Sequence, residues 1–254
     1  MSDIENIENY KNNGFILIKN FFNNDELTNI IKKIYKYDYK GLGCDVYYEN
    51  IFSEKKIKRV EKISKYIEDF RILLSSKKLN STLDKFANEK CVIFKEKINF
   101  KSKGGGSGFG SHIDGHFFWH DSNKNQRKGW LEYAPSFINV VIPFCKTDLK
   151  NGCLRVSDKS YTKKIGNDWD EITNNLQKDG PFLTKKSESE INLMPIEMNI
   201  GDILFFDWKC IHGSEPNNSD VDRPILYLTY NKFSHGENME KYYYDKKESI
   251  NTDD

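Results

Sequence analysis

The stretch that most constrains this chain is 103–114, in which five of the seven positions 104–110 are glycine and the triplet His112-Ile113-Asp114 follows. Glycine adopts backbone conformations that are closed to other residues, so the run predicts a tight loop or a close approach to the main chain. Side chains alternate along a β-strand, so a triplet that enters a strand places His112 and Asp114 on the same face. An imidazole and a carboxylate side by side supply two of the three ligands of a facial metal site.

The third ligand has to come from elsewhere in a chain with five histidines, and the candidate that stands apart is His212, followed by Gly213. Two histidines and one carboxylate on one face, with the other positions open, form the ligand set of non-haem Fe(II) oxygenases. A structural interpretation competes with this one. In it, His112 and Asp114 form an ordinary polar pair at a strand start, and His212 sits in a turn made by Gly213 and Pro216. For the triplet alone the structural interpretation is the better one, because three-residue patterns occur by chance.

A downstream arginine, Arg223, favours the oxygenase interpretation. It lies eleven residues after His212 and opens the apolar run 224–230. An oxygenase that consumes a 2-oxo dicarboxylate needs a cation for the far carboxylate, and arginine binds a carboxylate through a planar two-pronged fork.

Together these residues resemble the phytanoyl-CoA dioxygenase family of Fe(II)- and 2-oxoglutarate-dependent oxygenases. The segments that carry the resemblance follow one another in family order over most of the chain: 14–22, 112–114, 151–154, 201–206, 212–214 and Arg223. Within the family, three segments are most similar to the bacterial branch that hydroxylates 2-aminoethylphosphonate and related small phosphonates: 95–101, 227–231 and 242–246.

The resemblance implies a mainly β fold with flanking helices, a double-stranded β-helix of the jelly-roll or cupin-like kind. We expect a single dioxygenase domain over 1–254. Its barrel strands would lie in 91–231, and N-terminal helices in 23–88 would pack on the barrel.

The resemblance also assigns roles to particular residues. His112, Asp114 and His212 would hold Fe(II) and leave positions for 2-oxoglutarate and O2. Arg223 would pair with the distal carboxylate of 2-oxoglutarate, and Ser214 would add a hydrogen bond. Decarboxylation of 2-oxoglutarate to succinate and CO2 would accompany hydroxylation of a substrate C–H bond. Halogenating relatives lack the carboxylate and leave room for chloride, so Asp114 favours hydroxylation over chlorination.

Two strands are expected to line the same pocket. The first alternates over 91–100, with an apolar face of Phe94, Ile98 and Phe100 and a polar face of Lys95, Lys97 and Asn99. A strand with lysines on one face is usually exposed to solvent, but in a barrel of this family the inward face lines the cofactor pocket. Lys97 and Asn99 would then hold anionic groups of cosubstrate or substrate. On the last strand, an inward Arg223 places Thr229 on the pocket side as well.

Local patterns predict further elements. Apolar residues at helical spacing predict amphipathic helices over 54–74 and 79–88. Asn151-Gly152 predicts a tight hairpin turn between strand 136–144 and its return strand.

The polar segment 161–192 is interpreted as an insertion, either a lid or a passive excursion. Its apolar anchors would be Trp169, Leu176 and Phe182. His116 and His120 are interpreted as pocket-lining or surface residues, since the metal site is complete without them.

Composition excludes several classes of protein. The formal net charge of +1 argues against a nucleic-acid binder, and 14% aromatic residues argue against a disordered chain. No apolar run approaches the roughly 20 residues that a membrane helix needs, and the polar N-terminus is unlike a signal peptide. Five scattered cysteines fit a reducing compartment. We therefore expect a cytoplasmic monomer or homodimer that binds a small-molecule substrate and O2, without nucleic acid or membrane partners.

The substrate is expected to be small and zwitterionic, such as an aminoalkylphosphonate or a free amino acid. Lysines in 95–103 and amides of the glycine loop would accept a phosphonate or carboxylate. Asp121, Glu132 or a tyrosine cage would take an amine. Two other classes stay open: a metal-binding cupin-like module without oxygenase activity, and a Zn(II) hydrolase with the same ligands. Metal identity and 2-oxoglutarate dependence discriminate between them.

Overall fold

The strands of the protein lie mainly in two antiparallel sheets. The computed structural model describes residues 3–115, 117–121, 123–161, 173–174 and 182–251. In chain order the strands are β1 (Phe15–Ile18), β2 (Asp45–Ile51), β3 (Glu54–Glu61), β4 (Cys91–Lys101), β5 (Phe109–His112), β6 (Trp119–His120), β7 (Gln126–Arg127), β8 (Ile138–Pro143), β9 (Leu154–Val156), β10 (Thr173–Asn174), β11 (Phe182–Leu183), β12 (Met194–Ile196), β13 (Ile203–Asp207), β14 (His212–Ser214) and β15 (Arg223–Lys232).

Helices flank these strands along the chain. They are α1 (Asp3–Asn13), α2 (Asn24–Lys33), α3 (Ile63–Tyr66), α4 (Glu68–Leu74), α5 (Lys77–Ala87), α6 (Lys185–Ser189) and α7 (Met239–Asn251), with 3₁₀ turns at Gly129–Glu132 and Phe233–His235. Among the described residues, no helix is both long and apolar enough to span a bilayer.

The larger sheet has seven strands in the order β1-β13-β8-β15-β4-β3-β2, and the smaller one has four in the order β12-β9-β14-β5. Their facing sides pack through one apolar cluster, to which β8 gives Val141 and β9 gives Val156. The opposite face of the larger sheet carries the helices, with Leu27 of α2 and Phe70 of α4 in a second cluster. The mainly β double-stranded β-helix with flanking helices is therefore confirmed.

Period-two alternation explains how one sheet serves two cores. On β8, Val140 and Ile142 join the helix-covered cluster, whereas Val141 joins the cluster between the sheets. On β15, Leu226 and Ile225 divide in the same way. A strand that is buried on both faces reads as a continuous apolar run, as 137–144 does.

The predicted helix over 54–74 is wrong in its first half. Residues 54–61 form β3, which pairs with β2 in a hairpin and adds both strands to the larger sheet; only α3 and α4 are helical. Ile57 and Val60 have helical spacing, but Val60 pairs with Ile98 of β4 and is fully buried. Tertiary pairing therefore overrides a local period that fitted both structures. The set of N-terminal helices expected in 23–88 is interrupted by this hairpin.

The hairpin expected at Asn151-Gly152 is also wrong. The chain does turn there, with Gly152 at φ +70°, a left-handed conformation that glycine adopts without strain. However, β8 pairs with β13 and β15, whereas β9 pairs with β12 and β14. The turn carries the chain from one sheet to the other, because a jelly roll places consecutive strands in opposite sheets.

The segment 161–192 is only partly described, and Trp169 and Leu176 lie outside the described residues. Phe182 on β11 packs edge-on against Phe109 of β5, with ring centroids 5.2 Å apart. At the C-terminal end, α7 docks through Tyr242 and Tyr243, which are buried. Phe182 of β11 and the two tyrosines of α7 therefore pack against the rest of the domain.

Candidate metal centre

Three of the predicted residues, His112, Asp114 and His212, come together at one end of the smaller sheet. His112 ends β5, His212 begins β14, and the two are directly paired. The histidine Nε2 atoms lie 3.7 Å and 3.5 Å from the carboxylate oxygens of Asp114. One candidate ligand atom from each residue falls within 4.8 Å of the others. The arrangement can hold a single metal ion.

The backbone brings Asp114 into place by a turn rather than along a strand, which corrects the expected geometry. β5 ends at His112, and the Asp114 amide donates to the carbonyl of Trp208 at 3.2 Å. Gly115 follows at φ +77°, where a side chain would be strained. Gly213 is needed for another reason: a Cβ there would lie 2.8 Å from Ser111 Oγ, so only glycine lets β14 approach β5.

Both histidines are oriented by backbone carbonyls. Nδ1 of His112 lies 2.9 Å from Gly110 O, and Nδ1 of His212 lies 3.0 Å from Cys210 O. A carbonyl only accepts, so each Nδ1 carries the proton and each Nε2 keeps its lone pair for a ligand bond. This carbonyl–histidine arrangement is typical of metal sites.

Electrostatics keep these groups in ligand-competent states. Burial, followed by the neighbouring His112, lowers the pKa of His212 to about 4, so that it stays neutral. Burial opposes ionisation of Asp114, but His212 and His112 hold the pKa of its carboxyl well below its usual range. Neutral imidazoles and an ionised carboxylate are the forms that bind a divalent metal ion.

Asp114 is held by a residue that sequence reasoning missed. Asn139 Nδ2 donates to Asp114 Oδ2 at 2.8 Å, and Thr229 Oγ1 donates to Asn139 Oδ1 at 2.8 Å. Thr229, predicted to bind cofactor, therefore reaches the site through Asn139. The available signal was a polar residue inside the apolar run 137–144, since a buried polar group needs a partner.

Arg223 lies at the other end of β15 with its side chain 1% exposed. Its Nε and Nη1 have no hydrogen-bond partner among the described residues. Buried donors of this kind need an acceptor, and a carboxylate matches the guanidinium fork. Arg223 therefore offers two buried donors to an anionic group such as a carboxylate.

Lys101, one of the lysines in 95–103 expected to accept a phosphonate or carboxylate, stands beside Arg223. The two residues are paired across β4 and β15, and Lys101 Nζ donates to Ser214 Oγ at 2.8 Å. Ser214, expected to bind 2-oxoglutarate, thus accepts a hydrogen bond from a lysine. Burial, together with the charge of Arg223, lowers the pKa of Lys101 to about 7.

The inward face of β4 is close to the expected one. Lys97 Nζ lies 5.5 Å from the ring centroid of Tyr227, on the face of β15 that carries Thr229. Burial and the charge of Lys95 lower the pKa of Lys97 to about 7, while Asp114 acts in the opposite direction. Asn99 is half-buried. It pairs with Arg59 of β3 on one side of β4 and with Ile225 of β15 on the other.

Phe94 does not share a face with Ile98, which corrects the alternation expected on β4. Thr229 pairs with Lys95 and Tyr230 with Ile93, so Phe94 is the extra residue of a β-bulge. Phe94 packs against Phe137, with centroids 4.8 Å apart, in a cluster separate from the helix-covered core.

The remaining candidates follow Asp114 in the sequence, within 116–132. His120 is exposed on β6, and His116 lies outside the described residues. Asp121 Oδ1 accepts hydrogen bonds from the amides of Asn123 and Asn125, both at 2.9 Å. Glu132 accepts from the Lys128 amide at 2.7 Å. The two carboxylates therefore hold their own loop.

The chain is similar in sequence and in fold to known proteins. The chain is 28% identical over 246 residues to a 2-aminoethylphosphonate dioxygenase of Uncultured bacterium HF130_AEPn_1, covering 95% of this chain and 86% of the relative. It is 26% identical to a methylphosphonate hydroxylase of Gimesia maris, covering 96% and 86%.

Among solved structures, EctD from S. alaskensis with 2-oxoglutarate and 5-hydroxyectoine superposes with a TM-score of 0.65 at 16% identity, covering 92% of this chain and 77% of that one. This similarity supports the double-stranded β-helix fold. The sequence model of the family described as Phytanoyl-CoA dioxygenase (PhyH) matches residues 10–225. The chain therefore belongs to the phytanoyl-CoA dioxygenase family.

Proposed function

We propose that this Fe(II)- and 2-oxoglutarate-dependent dioxygenase hydroxylates a C–H bond of a small phosphonate such as 2-aminoethylphosphonate. His112, Asp114 and His212 would hold the iron, and Arg223 would bind the distal carboxylate of 2-oxoglutarate. The observation that carries the assignment is the buried guanidinium of Arg223 with two unpaired donors in a barrel that also holds a two-histidine, one-carboxylate cluster.

The three residues fit iron by their chemistry. Two neutral imidazoles and one carboxylate suit a divalent ion and leave positions open for other ligands. When bound, iron and 2-oxoglutarate bring oxidative decarboxylation coupled to insertion of oxygen from O2 into a C–H bond. A simple metal-binding module has no need for a carboxylate clamp, so Arg223 argues against that alternative and against a Zn(II) hydrolase.

The chain itself positions the ligands and places aromatic rings beside them. Asn139 fixes the carboxylate plane of Asp114, and backbone carbonyls fix both imidazoles. Aromatic rings wall the site, with Phe206 4.8 Å from His212 and Phe109 4.8 Å from His112 between ring centroids. A rigid ligand set is preorganised for the metal ion.

The phosphonate assignment rests on the relatives' activities and on the charge of the pocket. The two curated relatives described above act on phosphonates according to their names. The inward face of β4 presents Lys95, Lys97 and Lys101, which favour an anionic substrate. A free amino acid also carries an anion, and a substrate screen separates the two.

An anaerobic titration tests the function. Adding Fe(II) and then 2-oxoglutarate to metal-free protein should produce the weak visible charge-transfer band of the chelate. Arg223→Ala should raise the concentration of 2-oxoglutarate needed for the band by about 10- to 100-fold, the cost of losing hydrogen bonds to a charged group. The affinity for Fe(II) in the absence of 2-oxoglutarate should stay unchanged. Arg71→Ala, on the exposed face of α4, is the matched control. Metal binding without a band in the wild-type protein would favour the module or hydrolase instead.

The proposal includes a cytoplasmic location and a monomeric or homodimeric state. The five free cysteines suit a reducing compartment. Light scattering of the purified protein measures the oligomeric state, and a larger assembly would contradict the proposal.

A further inference from the structure

A second cluster of charged residues lies inside the molecule, around Glu61 at the end of β3. The Glu61 side chain is fully buried. Its Oε1 lies 3.3 Å from Arg59 Nε, and its Oε2 accepts a hydrogen bond from Lys246 of α7. Glu61 pairs across the sheet with Lys97, and the neighbouring Lys95 acts on it electrostatically. Four cations therefore gather around one carboxylate.

Two of the three lysines of this cluster, Lys95 and Lys97, have no acidic partner at contact distance. Within the described part of the chain, neither Lys95 nor Lys97 donates a hydrogen bond or makes an ion pair. Lys95 is 8% exposed, and its ammonium lies 5.1 Å from the Trp130 ring and 5.3 Å from the Tyr242 ring. A buried cation held only by aromatic faces is incompletely compensated, because cation–π contacts are weaker than ion pairs at short range.

Glu61 does not neutralise the cluster. It carries a single charge against four cations: its Oε2 accepts from Lys246, and its Oε1 lies near Arg59 Nε without a hydrogen bond. Burial opposes its ionisation, yet Lys95, Lys246 and Arg59 lower the pKa of Glu61 to about 2. Burial lowers the pKa of Lys95 to about 7, the direction expected for a cation that lacks an anion. The cluster thus contains four cations and one carboxylate, an excess of positive charge.

The cluster is distinct from the place proposed for the distal carboxylate of 2-oxoglutarate. Lys95 pairs with Thr229, whereas Lys101 pairs with Arg223, six positions away along β15. At roughly 3.3 Å per residue the backbones of these two pairs are about 20 Å apart along the strand, so one anionic group does not contact the cations of both. Asp114, held through Asn139 to Thr229, lies on the Lys95 side. The cluster therefore adjoins the metal centre, beside which the substrate has to bind.

We propose that Arg59, Lys95 and Lys97, with Lys246, form the subsite that binds the phosphonate group of the substrate. This inference rests on the proposed function. A phosphonate carries up to two negative charges on three oxygens, so it can take hydrogen bonds from several cations at once, whereas a carboxylate offers two oxygens and one charge. The subsite therefore selects phosphonates over carboxylates of the same length.

The subsite depends on a segment outside the family-wide match. Lys246 and Tyr242 lie on α7, beyond residue 225 at which the match to the family ends. The same helix is fixed by Tyr243, whose hydroxyl donates to Glu96 O at 2.9 Å. Specificity for the anion is thereby separated from the iron and 2-oxoglutarate machinery.

Equilibrium dialysis under anaerobic conditions tests the subsite. Protein loaded with Fe(II) and 2-oxoglutarate is dialysed against 2-aminoethylphosphonate and, separately, against β-alanine, its carboxylate counterpart. Lys95→Met and Arg59→Met should each weaken binding of 2-aminoethylphosphonate by about 10- to 100-fold, the cost of a hydrogen bond to a charged group. Binding of β-alanine should be weak in all forms, and the exposed control Lys36→Met should bind like wild type.

The chelate band separates the possible failures. If wild-type protein forms no band with 2-oxoglutarate, the proposed function fails. If the band forms and both variants bind 2-aminoethylphosphonate as tightly as wild type, the subsite is wrong. A loss of 2-oxoglutarate binding by the same factor would show a structural role only and also overturn the proposal. Should Lys95→Met fail to fold, Lys97→Gln replaces it with the same expected result.

Discussion

Two adjoining regions of the pocket, the metal end with its three ligands and the basic end with Lys95 and Lys97, are built on opposite principles. At the metal end each orienting group has its partner: both Nδ1 atoms meet carbonyls, and Asp114 meets Asn139. At the basic end Lys95 and Lys97 have aromatic neighbours but no ion-pair partner within the described chain. The first end is preorganised before any ligand arrives, and the second is completed only by its ligand. Preorganisation favours stability, whereas an uncompensated charge gives up stability for binding.

Removing the carboxylate at the metal end should have the largest effect. Asp114→Gly should reduce hydroxylation by more than about 100-fold, since loss of a residue that merely supports a ligand already costs up to that much. Product formation with 2-aminoethylphosphonate and Fe(II) affinity measure the change, with exposed Asp38→Asn as the control. Unchanged activity would show that the three ligands are assigned wrongly.

Loosening the same end without removing a ligand should have a graded effect. Asn139→Leu should weaken Fe(II) binding by about 10- to 100-fold, because Asp114 loses the donor that fixes its plane. Thr229→Val should have a smaller effect in the same direction, because it leaves Asn139 in place with an unpaired carbonyl oxygen. Fe(II) affinity measured by chelator competition tests both. A larger loss in Thr229→Val than in Asn139→Leu would contradict the order of the chain of hydrogen bonds.

At the basic end a substitution should stabilise the ligand-free protein. Lys97→Met removes a half-buried cation without an ion-pair partner, so the urea midpoint at pH 8 should rise while phosphonate binding falls. The pKa of Lys97 is lowered from 10.5 to about 7, so the unfolded chain binds more protons between these values. The free energy of unfolding of the wild-type protein therefore increases as the pH rises between these two values, and the increase should be smaller in Lys97→Met. A urea midpoint below that of the wild-type protein would show that Lys97 stabilises the ligand-free protein, and would contradict the difference between the metal end and the basic end.

The smallest effect is expected beside Arg223. Ser214 accepts a hydrogen bond from Lys101, so Ser214→Ala should change the KM for 2-oxoglutarate by less than about 10-fold, the range for one neutral hydrogen-bonding group. The comparison with Arg223→Ala is made in the same assay. Equal losses in the two variants would show that Ser214 binds the cosubstrate directly.

Much of this pocket could be predicted from the sequence because period two holds wherever one face of a strand is buried. The inward positions of Lys95 and Lys97 follow from it, and so does the division of Leu226 and Ile225 between two cores. The prediction fails where pairing adds or moves a residue. Phe94 changes face at a bulge. The apolar residues of β3 have helical spacing, but the segment forms a strand paired with β4.

The sequence by itself determined the chemistry of this protein. Two histidines, one aspartate and a downstream arginine predict a site for a divalent metal ion and a dicarboxylate, because few other side chains supply those metal ligands and that guanidinium fork. Only the tertiary structure decided which polar residues support them. Asn139 meets Asp114 across 25 positions, and Lys246 meets Glu61 across 185. Such partners are set by strand pairing and helix docking, and no local pattern encodes contacts between residues so distant in the chain.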